Sequence, residues 1–312
     1  LFAIREGRAD SVRALLKAGA SPNEVMTRSQ RAQSNSASYS FAGTSALLLA
    51  VANGHFELAS SLLDAGADPN PSGRGWTPLH EITWVRKPGT GTNDPAPIGS
   101  GNMDSLELVK RLVAHGADVN AKMTKRRPVG TTTLNMTGAT PFMMAARTGD
   151  ADLMRVLAQL GADPNLPNAD GTTPLMVAAG VGTKSPGEDP GTEKEILEAV
   201  KVAVELGVDV NAVDKKGETA MHGAAYKQLP SVAQYLYDHG AKIEVWNRKN
   251  QLGWTPLRIA EGVHRAGELR FSTSTAATLR EIMTKAGVST VVEPEEVRNQ
   301  CIFLDPETGL VK

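Results

Sequence analysis

The chain contains little of several residue types, and each scarcity excludes a class of protein. Its single cysteine, Cys301, rules out an internal disulfide framework and a cysteine-based zinc site. No apolar run approaches the ~20 residues that a membrane helix needs, so we expect no membrane insertion. Basic and acidic residues number 33 and 34, and this balance gives no indication of nucleic-acid binding.

Motifs that carry chemistry are also missing. The chain has no Gly-x-x-x-x-Gly-Lys-Ser/Thr phosphate loop, no Gly-x-Ser-x-Gly nucleophile turn and no His-Glu-x-x-His pair. No set of catalytic groups converges in the sequence. We therefore expect a protein that is not an enzyme, with no cofactor, no metal and no small-molecule substrate.

Two short motifs alternate along the chain. Gly-x-Thr-Pro-Leu or a close variant occupies residues 43–48, 75–80, 138–143, 171–176, 217–222 and 253–258. Gly-Ala-Asp-x-Asn or a variant occupies residues 19–23, 66–70, 116–120, 161–165, 207–211 and, in degraded form, 240–244. A spacing of roughly 33 residues indicates one helical unit repeated in tandem.

The first motif has the chemistry of a helix start and the second that of a helix stop. A Thr hydroxyl caps free backbone N–H groups, and the Pro that follows loses no hydrogen bond at the first helical position. A glycine suits the left-handed residue that ends a helix. Each unit is therefore a helix–turn–helix followed by a hairpin-like finger loop, and units must stack to bury enough apolar surface.

Because six registers agree on both motifs, residues 1–287 resemble ankyrin-repeat proteins. The resemblance implies an all-α solenoid that binds other proteins through its fingers and a concave face. Leu1 falls inside the first helix of its unit, so we expect that a segment precedes it in the natural polypeptide or that the start was removed. Seven units are expected near residues 1–23, 43–70, 75–120, 138–165, 171–211, 217–244 and 253–287, followed by a tail over 288–312 with a possible hairpin.

Long insertions interrupt the repeat at two kinds of position. Residues 24–42 and 121–137 lengthen fingers, whereas residues 85–103, 181–192 and 262–276 separate the two helices of units three, five and seven. Since the helices of a unit are antiparallel, we expect the two classes to emerge at opposite edges. Packed helices lie ~8–10 Å apart, so long loops from alternate units should meet.

Histidines and aspartates that look like candidate site residues recur in register. His80 and His222 both follow a helix cap, where the resemblance implies structural hydrogen bonds between units. Asp68, Asp118, Asp163 and Asp209 occupy turn positions, where Asp bonds its own backbone. Repetition therefore favours structural roles for both sets.

The fingers carry the strongest indication of a binding surface. Their three acidic residues are Asp170, Asp214 and Glu218. Their basic residues are Arg74, Lys122, Lys125, Arg126, Arg127, Lys215, Lys216, Arg248 and Lys249. Because the whole chain has a formal net charge of −1, this edge is basic and the remainder acidic, which favours an acidic partner.

Tryptophans lie beside these charges. Trp76 and Trp254 take the variable position of Gly-x-Thr-Pro-Leu, which the resemblance places facing ligands, and Trp246 lies on the last finger. Tryptophan is enriched among residues that dominate binding energy, so we include all three in the expected partner-binding set. The alternative is that Trp76 and Trp254 cover the neighbouring repeat.

The sequence therefore favours a non-enzymatic protein-interaction module that binds an acidic protein surface through fingers and concave face. Two alternatives stay open: the adaptor region of a larger enzyme with its catalytic domain upstream, and a structural subunit of a permanent assembly. The long insertions are similar to those of bacterial multi-repeat proteins, many of which are exported. We therefore expect a soluble protein and favour a periplasmic or secreted bacterial location over the cytoplasm.

Overall fold

The fold is that of a computed structural model, which describes residues 1–27, 42–88, 96–127, 132–265 and 268–292. Helices dominate, and most of them form consecutive pairs, one pair in each unit expected from the sequence. The pairs are α1 (Phe2–Arg5) and α2 (Ala9–Lys17), α3 (Ala46–Ala52) and α4 (Phe56–Asp64), α5 (Pro78–Arg86) and α6 (Ser105–Ala114), α7 (Pro141–Arg147) and α8 (Ala151–Gln159), α9 (Pro174–Ala179) and α10 (Glu193–Glu205), α11 (Ala220–Tyr226) and α12 (Pro230–Asp238), and α14 (Pro256–Glu261) and α15 (Thr273–Lys285).

Three further elements depart from the repeat. A short helix, α13 (Ile243–Trp246), lies in the last finger. Strands β1 (Val263–Arg265) and β2 (Glu268–Arg270) form an antiparallel hairpin between α14 and α15, with Val263 opposite Arg270. The possible hairpin in the C-terminal tail falls mostly on residues 293–312, outside the described residues.

The helix pairs stack into two layers. The first helices contact one another in chain order from α1 through α3, α5, α7, α9 and α11 to α14, and form an inner layer. The second helices make the same succession of contacts from α4 to α15 and form an outer layer. The apolar residues between the layers form one continuous core along the stack, and this confirms the expected all-α solenoid.

Local chemistry accounts for both ends of the helices. Thr140, Thr173, Thr219 and Thr255 each accept a hydrogen bond from the backbone N–H three residues later, at 3.2–3.5 Å. The glycine of each second motif has positive φ, from +82° at Gly207 to +96° at Gly161, which is the left-handed conformation that ends a helix. Starts and stops thus follow the two sequence motifs.

Asparagines of the second motif tie successive units together. The side-chain amides of Asn23, Asn70, Asn120 and Asn211 each donate to the carbonyl of the helix-ending glycine in the next unit, at 2.8–3.2 Å. Their side-chain oxygens accept from a backbone N–H two residues beyond that glycine, at 2.6–2.9 Å. We call this series the asparagine ladder. The aspartates of the motif accept from the N–H of the asparagine two residues later, which confirms their turn role.

The inter-helix insertion of unit five is held by buried charges. Arg147 forms an ion pair with Asp189 at 3.0 Å, and the Thr183 hydroxyl donates to the same carboxylate at 2.6 Å. The ammonium of Lys227, from the next unit, donates to the Pro190 carbonyl at 3.2 Å. Burial lowers the pKa of Lys227 to about 8. This loop is therefore part of the packed structure.

Long loops of alternate units meet, as expected from their spacing. The Arg270 guanidinium, in strand β2 of the unit-seven hairpin, donates to the Ser185 hydroxyl in the unit-five insertion at 3.3 Å. Lys87, at the end of the unit-three inner helix, pairs with Glu195 of α10 in unit five. The finger insertion also meets one of these loops, a contact that was not expected from the sequence. Residues 132–137 reach the unit-five insertion, where Thr133 N–H donates to the Gly182 carbonyl at 2.9 Å.

Candidate partner-binding surface

A second apolar cluster lies on the inner helices, separate from the core between the layers. We call the described parts of the finger insertion, residues 121–127 and 132–137, the strap. The strap supplies three buried side chains, Met123, Leu134 and Met136, each at most 5% exposed. They pack with residues from four inner helices and a finger base, namely Leu48, Trp76, Trp84, Met143, Met144 and Val177, with Ala139 beside them. The inner-helix face of units two to five is thus covered by the chain itself.

An arginine anchors the strap to α5. The Arg127 guanidinium donates to both oxygens of Glu81, with Nη2–Oε1 at 2.7 Å and Nε–Oε2 at 3.3 Å. The same guanidinium lies over the Trp84 ring, 4.6 Å from its centroid. The Trp76 indole N–H donates to Glu81 Oε2 at 2.7 Å. We call Glu81, Trp76 and Trp84 the arginine socket. Since the Glu81 side chain is only 4% exposed, Arg127 compensates a buried charge.

Backbone hydrogen bonds fix both ends of the strap. Met123 N–H donates to the Ala139 carbonyl at 2.9 Å, and Thr124 N–H donates to the Gly75 carbonyl at 2.9 Å. At the other end, an isolated antiparallel bridge joins Thr132 to Thr183. The strap is therefore an extended segment held by main-chain bonds and side-chain pockets.

The structure separates the nine basic finger residues by exposure. Arg74, Arg127 and Lys216 are half-buried: Arg74 lies 4.6 Å from the Trp76 ring centroid, and Lys216 pairs with Asp170 at 2.8 Å. Burial lowers the pKa of Arg74. The exposed ones are Lys122, Lys125, Arg126, Lys215, Arg248 and Lys249. We call these six residues the basic rim.

The carboxylates among the fingers are less exposed than the cations. The Asp170 side chain is 16% exposed, and Asp214 and Glu218 are 7% and 8% exposed. Each is held by a neighbour: Asn135 donates to Asp170, the Thr172 hydroxyl to Asp214, and the Tyr226 hydroxyl to Glu218. Burial raises the pKa of Asp214. Among these twelve charged finger residues, the exposed ones are therefore all basic.

These carboxylates line a depression between the strap and the fingers of units five to seven. Its empty volume is about 560 Å³, part of which is open solvent. Leu134 of the strap forms one wall, Lys216 another, and Tyr226 of α11 also contributes. The depression therefore lies at the end of the strap, next to the part of units five to seven that the strap does not cover.

The three tryptophans of the expected binding set are packing residues. Trp76, Trp246 and Trp254 are 5%, 2% and 6% exposed, so they present almost no surface to a partner. Trp76 belongs to the cluster under the strap, whereas Trp246 and Trp254 belong to the core of the stack. The expectation of exposed aromatic anchors was wrong because the chain folds against these rings.

Histidines in the cap register join neighbouring units. The His80 Nε2 lies 3.1 Å from the Ala139 carbonyl oxygen, and the His222 Nε2 lies 3.1 Å from the Arg248 carbonyl oxygen. Burial lowers the pKa of each ring to about 4. Both rings are therefore neutral near pH 7, and the expectation of structural hydrogen bonds is confirmed. Over the described ranges, no group of three or more His, Cys, Asp or Glu side chains has the arrangement of a metal site.

The arginine socket was not predicted from the sequence, although two features of the sequence indicate it. Glu81 stands in an inner-helix register that holds Leu49, Met144 and Val177 in other units. The insertion 121–137 also carries Met and Leu residues that a purely solvated loop does not need. An acidic residue on an apolar helix face and apolar residues in a basic loop together indicate that the loop docks on the helix.

Stacked helix pairs with projecting fingers define the class: a tandem helix–turn–helix repeat protein. A family model described as Ankyrin repeats (3 copies) matches residues 1–84, 99–184 and 192–265, which is well over half of the chain. The chain belongs to the ankyrin-repeat family. Ankyrin repeats are generally protein–protein interaction modules. Among the described residues, no helix is long and apolar enough to span a membrane.

Similar proteins match the repeat region over part of their length. The E3 ubiquitin-protein ligase KEG of Arabidopsis thaliana is 26% identical over 248 residues, which is 70% of this chain and 13% of the relative. Human ankyrin repeat and SOCS box protein 16 is 27% identical over 219 residues, 70% of this chain and 40% of the relative. The chain thus spans less than half the length of these relatives.

A solved structure shares the fold along nearly the whole chain. The human ASB11 ankyrin repeat domain superposes with a TM-score of 0.57 and 22% sequence identity, and covers 94% of this chain and 97% of that domain. This likeness supports the fold alone. A bacterial origin and an extracytoplasmic location stay predictions.

Proposed function

We propose that this chain is a non-enzymatic protein-interaction module that binds an acidic surface of a partner protein through the basic rim. One observation carries the proposal: six cations of the fingers are exposed, while the three finger carboxylates are buried or nearly so. Arg126, Lys215 and Arg248 donate hydrogen bonds to backbone carbonyls, which satisfies donors without neutralising charge. Exposed charge of one sign speeds the encounter with an oppositely charged partner.

The stacked units supply preorganisation. Fingers are braced at their bases by side chains that accept from two backbone N–H groups, such as Asp214 with the N–H groups of Lys216 and Glu218 at 2.8 and 2.9 Å. Rim residues are thus placed before a partner arrives, and less ordering entropy opposes association. A rigid stack with a fixed charged edge fits recognition of one protein surface.

The test is capture of binding proteins from the native source with three immobilised forms of the chain. One form carries Lys125→Glu, Lys215→Glu and Lys249→Glu on the rim. The matched control carries the same charge change on exposed outer-helix lysines, Lys17→Glu, Lys110→Glu and Lys194→Glu. Arg127 is left unchanged because its loss would disturb the strap.

The wild type and the control should capture the same protein, and the rim variant should lose it. With that protein purified, rim reversal should slow association by about tenfold or more at low salt, and the difference should shrink as salt screens the charges. Equal association rates for all three forms at low salt would contradict the proposal.

A further inference from the structure

We propose that the inner-helix face of units two to five is a groove for an extended, arginine-bearing segment of a partner protein, and that the strap occupies this groove in cis. The strap then competes with the partner segment for the groove, and the partner segment binds by displacing the strap. The inference goes beyond the basic rim, although Lys122, Lys125 and Arg126 belong to both the rim and the strap. It rests on the proposed function only for the premise that the chain binds proteins.

The arginine socket gives the groove its chemical preference. A carboxylate that accepts two guanidinium hydrogen bonds, at 2.7 and 3.3 Å, matches the fork of arginine and not the point charge of lysine. The face of Trp84 adds a flat surface for the planar guanidinium, 4.6 Å from its centroid. The Trp76 indole N–H also donates to Glu81 Oε2, at 2.7 Å, and helps to fix the position of the carboxylate. A segment without arginine would leave the buried Glu81 without these two hydrogen bonds.

Apolar pockets flank the socket. Met143 and Met144 of α7, with Leu48 of α3 and Val177 of α9, line the face that receives the strap side chains. Methionine is flexible and polarisable, so such a surface adapts to different apolar side chains. The groove therefore suits a segment with one arginine and several large apolar residues.

The strap is bound as a peptide in trans would be bound. In its described residues it has no helix, and its pairing with the rest of the chain is one isolated bridge and a few backbone hydrogen bonds. Main-chain bonds supply affinity and side-chain pockets supply selectivity in recognition of extended segments. None of these contacts requires the covalent link to the neighbouring units.

Displacement leaves the stack intact because the two clusters are separate. The core between the helix layers contains no strap residue, and the strap cluster lies on the other side of the inner helices. The covalent link gives the strap an effective concentration on the order of millimolar, so a free peptide competes poorly with it. A partner protein that also binds another surface of the chain has the additional affinity that displacement of the strap requires.

The experiment uses the strap sequence itself as the probe. In one variant, residues 121–137 are replaced by the residue 166–170 sequence, the finger of the next unit, so that both repeat motifs keep their register. A fluorescein-labelled synthetic peptide of residues 121–137 is titrated with the intact chain and with this variant, and binding is followed by anisotropy. Two further peptides carry Arg127→Ala and Arg127→Lys.

The peptide should bind the finger-replaced variant at least tenfold more tightly than it binds the intact chain. Both arginine substitutions should weaken that binding at least tenfold, and Glu81→Gln in the variant should do the same. A variant with an intact helical spectrum that does not bind the peptide would overturn the proposal, as would equal binding by the intact chain. Equal binding of the Arg127→Ala peptide would show that no arginine socket selects the segment.

If the finger-replaced variant does not fold, Arg127→Ala in the full chain decides the matter. Loss of the anchor should make tryptophan fluorescence more accessible to acrylamide and should raise affinity for the wild-type peptide at least threefold. Unchanged quenching and unchanged affinity would overturn the proposal. Because the rim variants keep the strap, failure here would leave the basic-rim test unaffected.

Discussion

The buried histidines should make the stability of the stack depend on pH between neutrality and pH 4. His80 and His222 have folded-state pKa values of about 4, against an ordinary value of 6.5. Since the unfolded chain binds these protons first as the pH falls, protonation favours unfolding. The stability contributed by the neutral rings is fully present above pH 6.5 and is lost as the pH falls towards 4.

The size of the effect follows from the two pKa values. A gap of 2.5 pKa units, the difference between 6.5 and about 4, corresponds to about 3 kcal/mol for each ring once both states are protonated. Between pH 7.5 and pH 5, the same values give about 2 kcal/mol for each ring. The wild type should therefore lose about 4 kcal/mol through these two histidines over that interval.

Urea denaturation at pH 7.5 and pH 5, followed by circular dichroism, measures this loss. His80→Gln should halve the histidine-linked loss, and the double variant with His222→Gln should remove it. Gln keeps one donor and one acceptor. The matched control is His264→Gln, because that ring is exposed on β1 and its replacement should leave the wild-type pH dependence unchanged. If His80→Gln and the double variant both keep the full pH dependence of the wild type, the reasoning is refuted.

Three further substitutions test the contacts that join the units. Arg86→Ala should lower the free energy of unfolding by about 2–4 kcal/mol, because it leaves the Asp150 carboxylate buried without its cation. That carboxylate is 2% exposed, and Arg86 binds it at 2.6 and 3.0 Å. Arg86→Lys should lower the free energy of unfolding less, as measured by the same urea titration. Asn120→Ala removes one rung of the asparagine ladder and should cost about 1 kcal/mol, and a neutral thermal melt would argue against the ladder. Gly99→Ala would place a methyl group against the Gly54 carbonyl. The unit-three insertion should then detach, and its backbone amides should exchange hydrogen for deuterium faster. An unchanged exchange rate would contradict that packing.

Helix starts and stops were predictable because they depend on neighbours in sequence. Thr140 caps the N–H of Met143, and the left-handed Gly161 ends α8, through contacts within a few residues. Repetition of the same chemistry then fixes the stacking, since every unit exposes the same apolar faces. The fold class, the unit pattern and the structural histidines all come from this local and periodic information.

The candidate surface was predictable in its charge and not in its geometry. Lys125 and Arg127 are two residues apart, yet one is exposed on the rim and the other is bound to Glu81, 46 residues away in sequence. Likewise Trp76 stands where the repeat places a ligand-facing residue, and the strap buries it. No motif encodes where a long insertion docks.

The amino-acid sequence by itself determined a stack of seven helix pairs with basic fingers, because caps, glycine stops and apolar periodicity act over short range and recur. Only the tertiary structure decided which side chains remain available to a partner. That choice depends on contacts such as those of the strap with four inner helices, which form when residues far apart in the chain meet and bury apolar surface and a charge together.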